Sequence, residues 1–332
     1  MNDRFAHLNG SDALLPAPAD ESAAGAARRR VLSRLGSYTA LLVGPLNMRP
    51  IAATLLSHDD ERVAVRVSSS SSHILLVIAP AGDLAAEVFF LRALAGANLP
   101  IPRLISHDLS CAAVPFSYAL ESYASGMPLD QLADAALVRI AARQVGRTLR
   151  RAHRHSVPGF GRPTASGRWP ARTWRDTLYG WLDQQPLLAC AEQVLGPAAA
   201  LAWRAATLEH RALACDQPNL LHGAIMPASA IVTIGDGVQL EALTRPGAII
   251  GGDPLFDLAH GLLPRHPAAF RQGLLEGYTA SGALAPEQQR RLERLRLLLS
   301  TADTLAGADA AALARLPDDL AVALAALDSR SS

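Results

Sequence analysis

The chain has 332 residues, 50% of them hydrophobic and 18% charged, the balance of a globular protein and not of a disordered or collagen-like one. All 31 basic residues are arginine, which excludes Schiff-base chemistry and any phosphate grip built on a lysine, because guanidinium does not deprotonate and is a wide planar fork. The formal net charge is +1 with the arginines scattered, so the basic stripe of a nucleic-acid binder is missing. The longest apolar runs, such as residues 74–80, fall far short of the roughly 20 residues that span a bilayer. Cys111, Cys190 and Cys215 have no metal-ligand spacing and read as small buried hydrophobes in a reducing compartment. With no basic-then-apolar leader pattern, the expectation is a cytoplasmic protein that engages neither nucleic acid nor membrane.

Residues 1–27 are rich in Ala, Pro, Ser, Asp and Gly and read as a flexible N-terminal tail. Short apolar or β-branched runs then follow at 39–43, 51–56, 62–67 and 73–79. Turn-formers separate them: Gly44-Pro45-Leu46-Asn47, then 58–61, then 68–72. This spacing predicts an antiparallel meander. Asp83 is placed to start a helix over 84–95 that Gly96 ends, and strands at 103–107 and 116–123 complete a sheet carrying one helix. After Gly126 the periodicity is helical, over 129–155, around 174–188 and over 197–214. Gly235-Asp236-Gly237 joins two short strands, 231–234 and 238–244, as a hairpin. From Asp257 the chain is helical again, with Pro286 as a first helical residue. The order is that of a bilobal α+β protein.

The most informative segment is 220–232, which contains Leu221-His222-Gly223-Ala224 and, five residues after Ala224, Ser229 before an apolar strand. Downstream stands Gly252-Asp253-Pro254-Leu255-Phe256-Asp257-Leu258-Ala259. Upstream are Leu99-Pro100-Ile101-Pro102, Glu121-Ser122-Tyr123 before Gly126, Ala152-His153 before Gly159-Phe160-Gly161, and Trp174-Arg175. This ordered set resembles the aminoglycoside phosphotransferase and choline kinase-like family, relatives of the protein kinases, over residues 38–300. The resemblance implies a protein-kinase-like fold: a small β-rich N-lobe with one helix at 28–122, and a larger, mainly helical C-lobe at 123–332 that holds the catalytic loop.

The resemblance also implies what each position should do, and three positions depart from it. The family's aspartate that orients the attacking hydroxyl falls at Ala224, its metal-holding asparagine at Ser229, and its second metal-binding aspartate, eight residues before Asp253, at Arg245. A methyl group cannot accept a proton, a neutral hydroxyl is a poor magnesium ligand, and a guanidinium repels the ion. On the nucleotide side, Glu87 matches the family's helix glutamate, but the strand lysine it should pair with falls at Val77, Ile78 or Arg66, of which Arg66 alone is charged. The glycine-rich turn over the phosphates corresponds to Gly44-Pro45-Leu46-Asn47.

The reading that follows is a degenerate family member with no intact catalytic residue. It would be a pseudokinase binding a nucleotide, a metabolite or a protein partner in the cleft that the resemblance implies between the lobes. Arg66, Glu87, Glu121, Tyr123, His222 and Asp253 are the candidate pocket residues. No cofactor is required on this reading: ATP or another nucleotide is the ligand left open, and no metal site, Mg2+ included, is expected. One alternative is a working phosphotransferase with an alcohol acceptor, in which Asp253, Glu241 or Asp236 has taken over the lost roles. A second is a structural or assembly subunit that binds no ligand. The bland reading of His222 is a loop brace held to the backbone. Ligand identity and oligomeric state are not encoded in these motifs.

Overall fold

The computed structural model describes residues 5–10, 21–46, 48–184, 186–307 and 309–329. The chain divides into two compact units. The first comprises residues up to 95, 101–124 and 165–167, and the second 96–100, 125–164 and 168 onward.

The first unit opens with two helices where the sequence reading placed a tail and a strand. Helix α1 (Ala23–Ser33) starts at Ser22, whose hydroxyl accepts the Gly25 amide at 2.9 Å. Helix α2 (Leu35–Val43) replaces the strand expected at 39–43. Its buried residues Leu35, Thr39, Leu42 and Val43 recur at helical spacing, and the Thr39 hydroxyl donates to the Leu35 carbonyl at 2.8 Å, one turn back. A short apolar run does not by itself separate helix from strand. Phe5 and Leu8, inside the expected tail, are buried in the same core, and the Asn9 side chain takes the Gly36 amide at 2.8 Å.

Five antiparallel strands follow: β1 (Ala52–His58), β2 (Val63–Ser68), β3 (His73–Ala79), β4 (Leu104–Asp108) and β5 (Ser117–Ser122), in the order β1-β2-β3-β5-β4. Helix α3 (Ala85–Ala93) lies between β3 and β4 in sequence, and Asp83 Oδ1 accepts the Ala85 amide at 2.8 Å. Alternation sorts the sheet into two faces. Val63, Val65, Val67, Ile74, Leu76 and Ile78 share a core with Val31, Leu35, Leu42 and Val43 of α1 and α2. Val77, Ala79 and Ala119 pack with Leu84 and with Val88 of α3. Both faces of β3 are therefore covered, which is why this strand reads as a near-continuous apolar run.

The second unit begins with β6 (Met127–Pro128) and α4 (Ala135–Ala152). The helix expected from 129 is interrupted: 129–131 form a 3-10 turn, and Asp134 caps α4 by accepting the Ala136 and Leu137 amides. Helices α5 (Trp174–Gln184), α6 (Leu187–Leu195) and α7 (Pro197–Ala206) come next, with α7 stopping well short of the expected 214. Strand β7 (Asn219–Leu220), the hairpin β8 (Ala230–Ile234) and β9 (Val238–Leu243), and strand β10 (Gly251–Gly252) precede α8 (Leu255–Gly261). Helices α9 (Ala268–Thr279), α10 (Pro286–Ala306) and α11 (Ala310–Ser329) complete it. Strand β6 pairs with β8, and β10 with β7. Helices α4 and α9 pack almost backbone to backbone: a Cβ on Gly277 would lie 2.0 Å from the Arg143 carbonyl oxygen.

Candidate functional site

In the second unit, β7, β10 and the β8–β9 hairpin bring the segment 221–229 and the segment 244–253 side by side. Asp257, in the first turn of α8, is fully buried and organises the loop between them. Its Oδ1 accepts the Gly223 amide at 2.7 Å, and its Oδ2 accepts the His222 amide at 2.6 Å and His153 Nε2 at 2.9 Å. His153 Nδ1 meets the Tyr278 hydroxyl at 2.9 Å. Burial works to raise the Asp257 carboxyl, but the His153 hydrogen bond and charge, with His222 behind them, outweigh it and hold the group below its ordinary value.

Gly223 adopts φ +78, and a Cβ there would sit 2.2 Å from the Ile249 carbonyl oxygen, so this turn admits glycine alone. His222 is buried and directs Nε2 at the Thr244 carbonyl, 3.1 Å away; burial lowers its pKa. That geometry is a brace, with the ring spanning from one segment to the other. The Gly247 amide donates to the His222 carbonyl at 2.7 Å, and the Thr244 amide to the Ser229 carbonyl at 2.8 Å. These bonds gather Ala224, Ser229 and Arg245 at one end of the hairpin.

Each of the three is committed elsewhere or chemically mute. Ala224 offers a methyl group. The Ser229 hydroxyl donates to the Met226 carbonyl at 2.7 Å and accepts the Met226 amide at 3.3 Å, closing its own turn. Arg245 sits in the left-handed region at φ +59 and brings a cation. Of the residues weighed as replacements, Asp253 is buried, with Oδ1 on the Leu255 amide at 3.0 Å and Oδ2 on Arg291 Nη1 at 3.1 Å. Burial pushes its carboxyl upward against the pull of Arg291. Glu241 accepts the Thr233 hydroxyl at 2.8 Å on an exposed face of the hairpin, and Asp236 lies in the hairpin turn. Among the described residues no group of three or more His, Cys, Asp or Glu side chains could hold a metal ion.

The first unit carries a separate polar cluster on the α3 face of its sheet. Glu87 on α3 is paired with Arg62, which precedes β2, at 2.6 Å between Oε2 and Nη1. Glu121 of β5 is 2% exposed, and among the described residues its Oε1 has no hydrogen-bond partner. Burial, followed by the neighbouring Glu87, raises its pKa well above the carboxylate range, against the opposing pull of Arg62. Of the sequence candidates, Glu87 and Glu121 are thus brought together, around an arginine that was not among them. Arg66 is turned to a different task, its guanidinium 5.6 Å from the Tyr123 ring centroid, and does not pair with Glu87. Of the three candidate lysine positions, Val77 packs on the α3 face of the sheet and Ile78 on the other face.

The turn expected over the phosphates also moves. Residues 44–46 form a 3-10 turn ahead of the sheet, because 39–43 is helix and the first strand lies one element later; Asn47 lies outside the described residues. The turn between the first two strands is Asp59-Asp60-Glu61, closed by Asp59 Oδ1 on the Glu61 amide at 2.9 Å and the Arg62 amide at 2.7 Å. Asp59, Asp60 and Glu61 put three carboxylates in this turn.

Residues 53–298 match the phosphotransferase enzyme family, APH. No curated protein sequence matches the chain. Among solved structures, aminoglycoside phosphotransferase APH(4)-Ia is 18% identical with a TM-score of 0.59, the match covering 89% of this chain and 98% of that one. Macrolide 2'-phosphotransferase MphH from Brachybacterium faecium is 18% identical with a TM-score of 0.56, over 87% and 98% of the two chains. The GDP and kanamycin complex of APH(2")-IIia gives 17% and 0.58, over 89% and 98%. At these identities the structural likeness shows the fold alone, the kinase-like α+β arrangement.

Proposed function

The chain belongs to the phosphotransferase enzyme family, and from that premise we propose that it is a pseudokinase, a member that retains a binding role without phosphoryl transfer. One observation carries the reading. Asp257 holds the loop backbone in shape through two amides, while the three positions that should carry chemistry are Ala224, a Ser229 closed on its own turn, and Arg245.

Transfer to a hydroxyl needs a carboxylate within hydrogen-bond reach of the acceptor and anionic oxygens around a hard cation. The residues present do not fit Mg2+: the only oxygen among the three side chains is a hydroxyl with two backbone partners, and the third position, Arg245, carries a positive charge. In the first unit, Glu87 is matched by Arg62, and the acidic turn 59–61 would repel a polyphosphate. The ligand we propose is a nucleotide or other small molecule, or a protein partner, bound without metal.

A thermal-shift series with ADP, ATP and no nucleotide, each with and without Mg2+, tests this. The reading expects any nucleotide stabilisation to be independent of Mg2+ and unaccompanied by hydrolysis. Metal-dependent stabilisation with turnover would establish a working enzyme, and silence towards every nucleotide would shift the role to a metabolite or a protein partner.

A further inference from the structure

A cavity of about 430 Å3 opens in the second unit between the 3-10 turn Arg211–Leu213 and the first half of α10. That volume accommodates a small ligand. Its polar lining is almost entirely donor.

Arg291 is fixed at two points, with Nε on the Ala212 carbonyl at 2.8 Å and Nη1 on the buried Asp253 at 3.1 Å. Its Nη2 keeps no protein partner among the described residues. Arg294, 5% exposed, anchors Nη1 on the Ala206 carbonyl at 2.6 Å. Arg211 and Arg290 stand exposed at the rim and form no ion pair among the described residues. His210 Nδ1 accepts the Ala212 amide at 3.1 Å, so in the neutral ring Nε2 is a donor as well. Against four guanidinium groups the lining offers one carboxylate, the exposed Glu287, and Asp253 behind Arg291.

Guanidinium groups crowded around a cavity repel one another unless an anion sits among them. Arginine forks match phosphate geometry bidentately, and two of these are already held in place by backbone carbonyls. We propose that this pocket binds a phosphate group, carried by a small phosphorylated molecule, at a site separate from the loop that holds Ala224. Desolvation, then Arg294 and Arg211, hold His210 below its usual pKa; an anion in the pocket offsets the two arginines and moves the ring back up.

The test is calorimetric titration of the full chain with inorganic phosphate and with pyrophosphate at fixed ionic strength, alongside NMR titration of the His210 ring. Saturable binding that raises the His210 pKa, and that weakens tenfold or more in R211Q/R290Q with circular dichroism unchanged, is the expected result. Both substituted side chains are exposed, and R290Q alone serves as a milder variant. The proposal fails if His210 does not respond, if chloride at matched ionic strength gives the same response, or if the variants bind as tightly as the parent. This outcome does not depend on the nucleotide series.

Discussion

Arg62 Nη1 lies 2.6 Å from Glu87 Oε2, so the helix glutamate of the first unit is satisfied by an arginine that enters from the start of β2 and not by a residue of the strand before α3. The pair is well shielded, with side-chain exposures of 18% and 6%. A buried pair is costly to break from one side and cheap to replace whole. Arg62→Met is therefore expected to cost about 3–5 kcal/mol, while Arg62→Met combined with Glu87→Leu recovers most of it. Urea denaturation of the two single variants and the double variant measures the coupling. Additive losses would show that the pair does not act as a unit.

Glu121 makes stability fall with rising pH. Burial, then the Glu87 carboxylate, raises its folded-state pKa, with Arg62 opposing. Its contribution is full below the unfolded glutamate value near 4.3 and is lost as pH rises through the folded one. Glu121→Gln keeps the shape and has no proton to lose. We expect the variant to gain about 1–3 kcal/mol on the parent as pH is raised. Parallel pH profiles for parent and variant would contradict this.

Asp257 has the opposite sign. Despite its burial, the His153 hydrogen bond and charge keep its pKa low. The stability it contributes is present above the unfolded aspartate value near 3.9 and is lost as pH falls towards the lower folded one. Asp257→Asn leaves one loop amide facing an amide group, and is expected to cost about 3 kcal/mol or more. Faster hydrogen exchange at the His222 and Gly223 amides is the local signature to look for.

The triple substitution A224D/S229N/R245D is expected to create a Mg2+ site with a dissociation constant on the order of millimolar, read by calorimetry against a silent parent. Position 245 already adopts φ +59, a conformation that aspartate visits more readily than arginine. Turnover is not expected, because no lysine is available to hold the phosphates. If the triple variant takes up no metal, the three side chains do not converge as the backbone bonds between 222–229 and 244–247 imply.

What the sequence discloses follows the range of the forces involved. The loop at 222–229 and the run 252–259 were legible because their residues answer to local backbone needs, such as the positive φ of Gly223 and the helix start at Asp253. The hairpin turn at 235–237 and Pro286 at the head of α10 were legible for the same reason. Helix α2 was not, since the short run at 39–43 mixes the β-branched Thr39 and Val43 with the helix-formers Ala40, Leu41 and Leu42, and five residues are too few for periodicity to decide. That single misreading displaced the turn expected over the phosphates by one element. Arg62 was missed because its partner lies 25 residues away, across a strand register that no local signal reveals. The arginines that meet at the second-unit cavity, 211 with 290, 291 and 294, are likewise joined only by tertiary folding.

The division of labour around Asp257 has an evolutionary consequence. Because the loop's outline is drawn by one carboxylate, a glycine and two histidines, whose bonds run to the backbone, to one another and to Tyr278, the groups that shape the loop are distinct from positions 224, 229 and 245. A lineage carrying this arrangement can lose its turnover by a few substitutions that its folding never registers, and the surviving architecture is then free to be recruited for recognition.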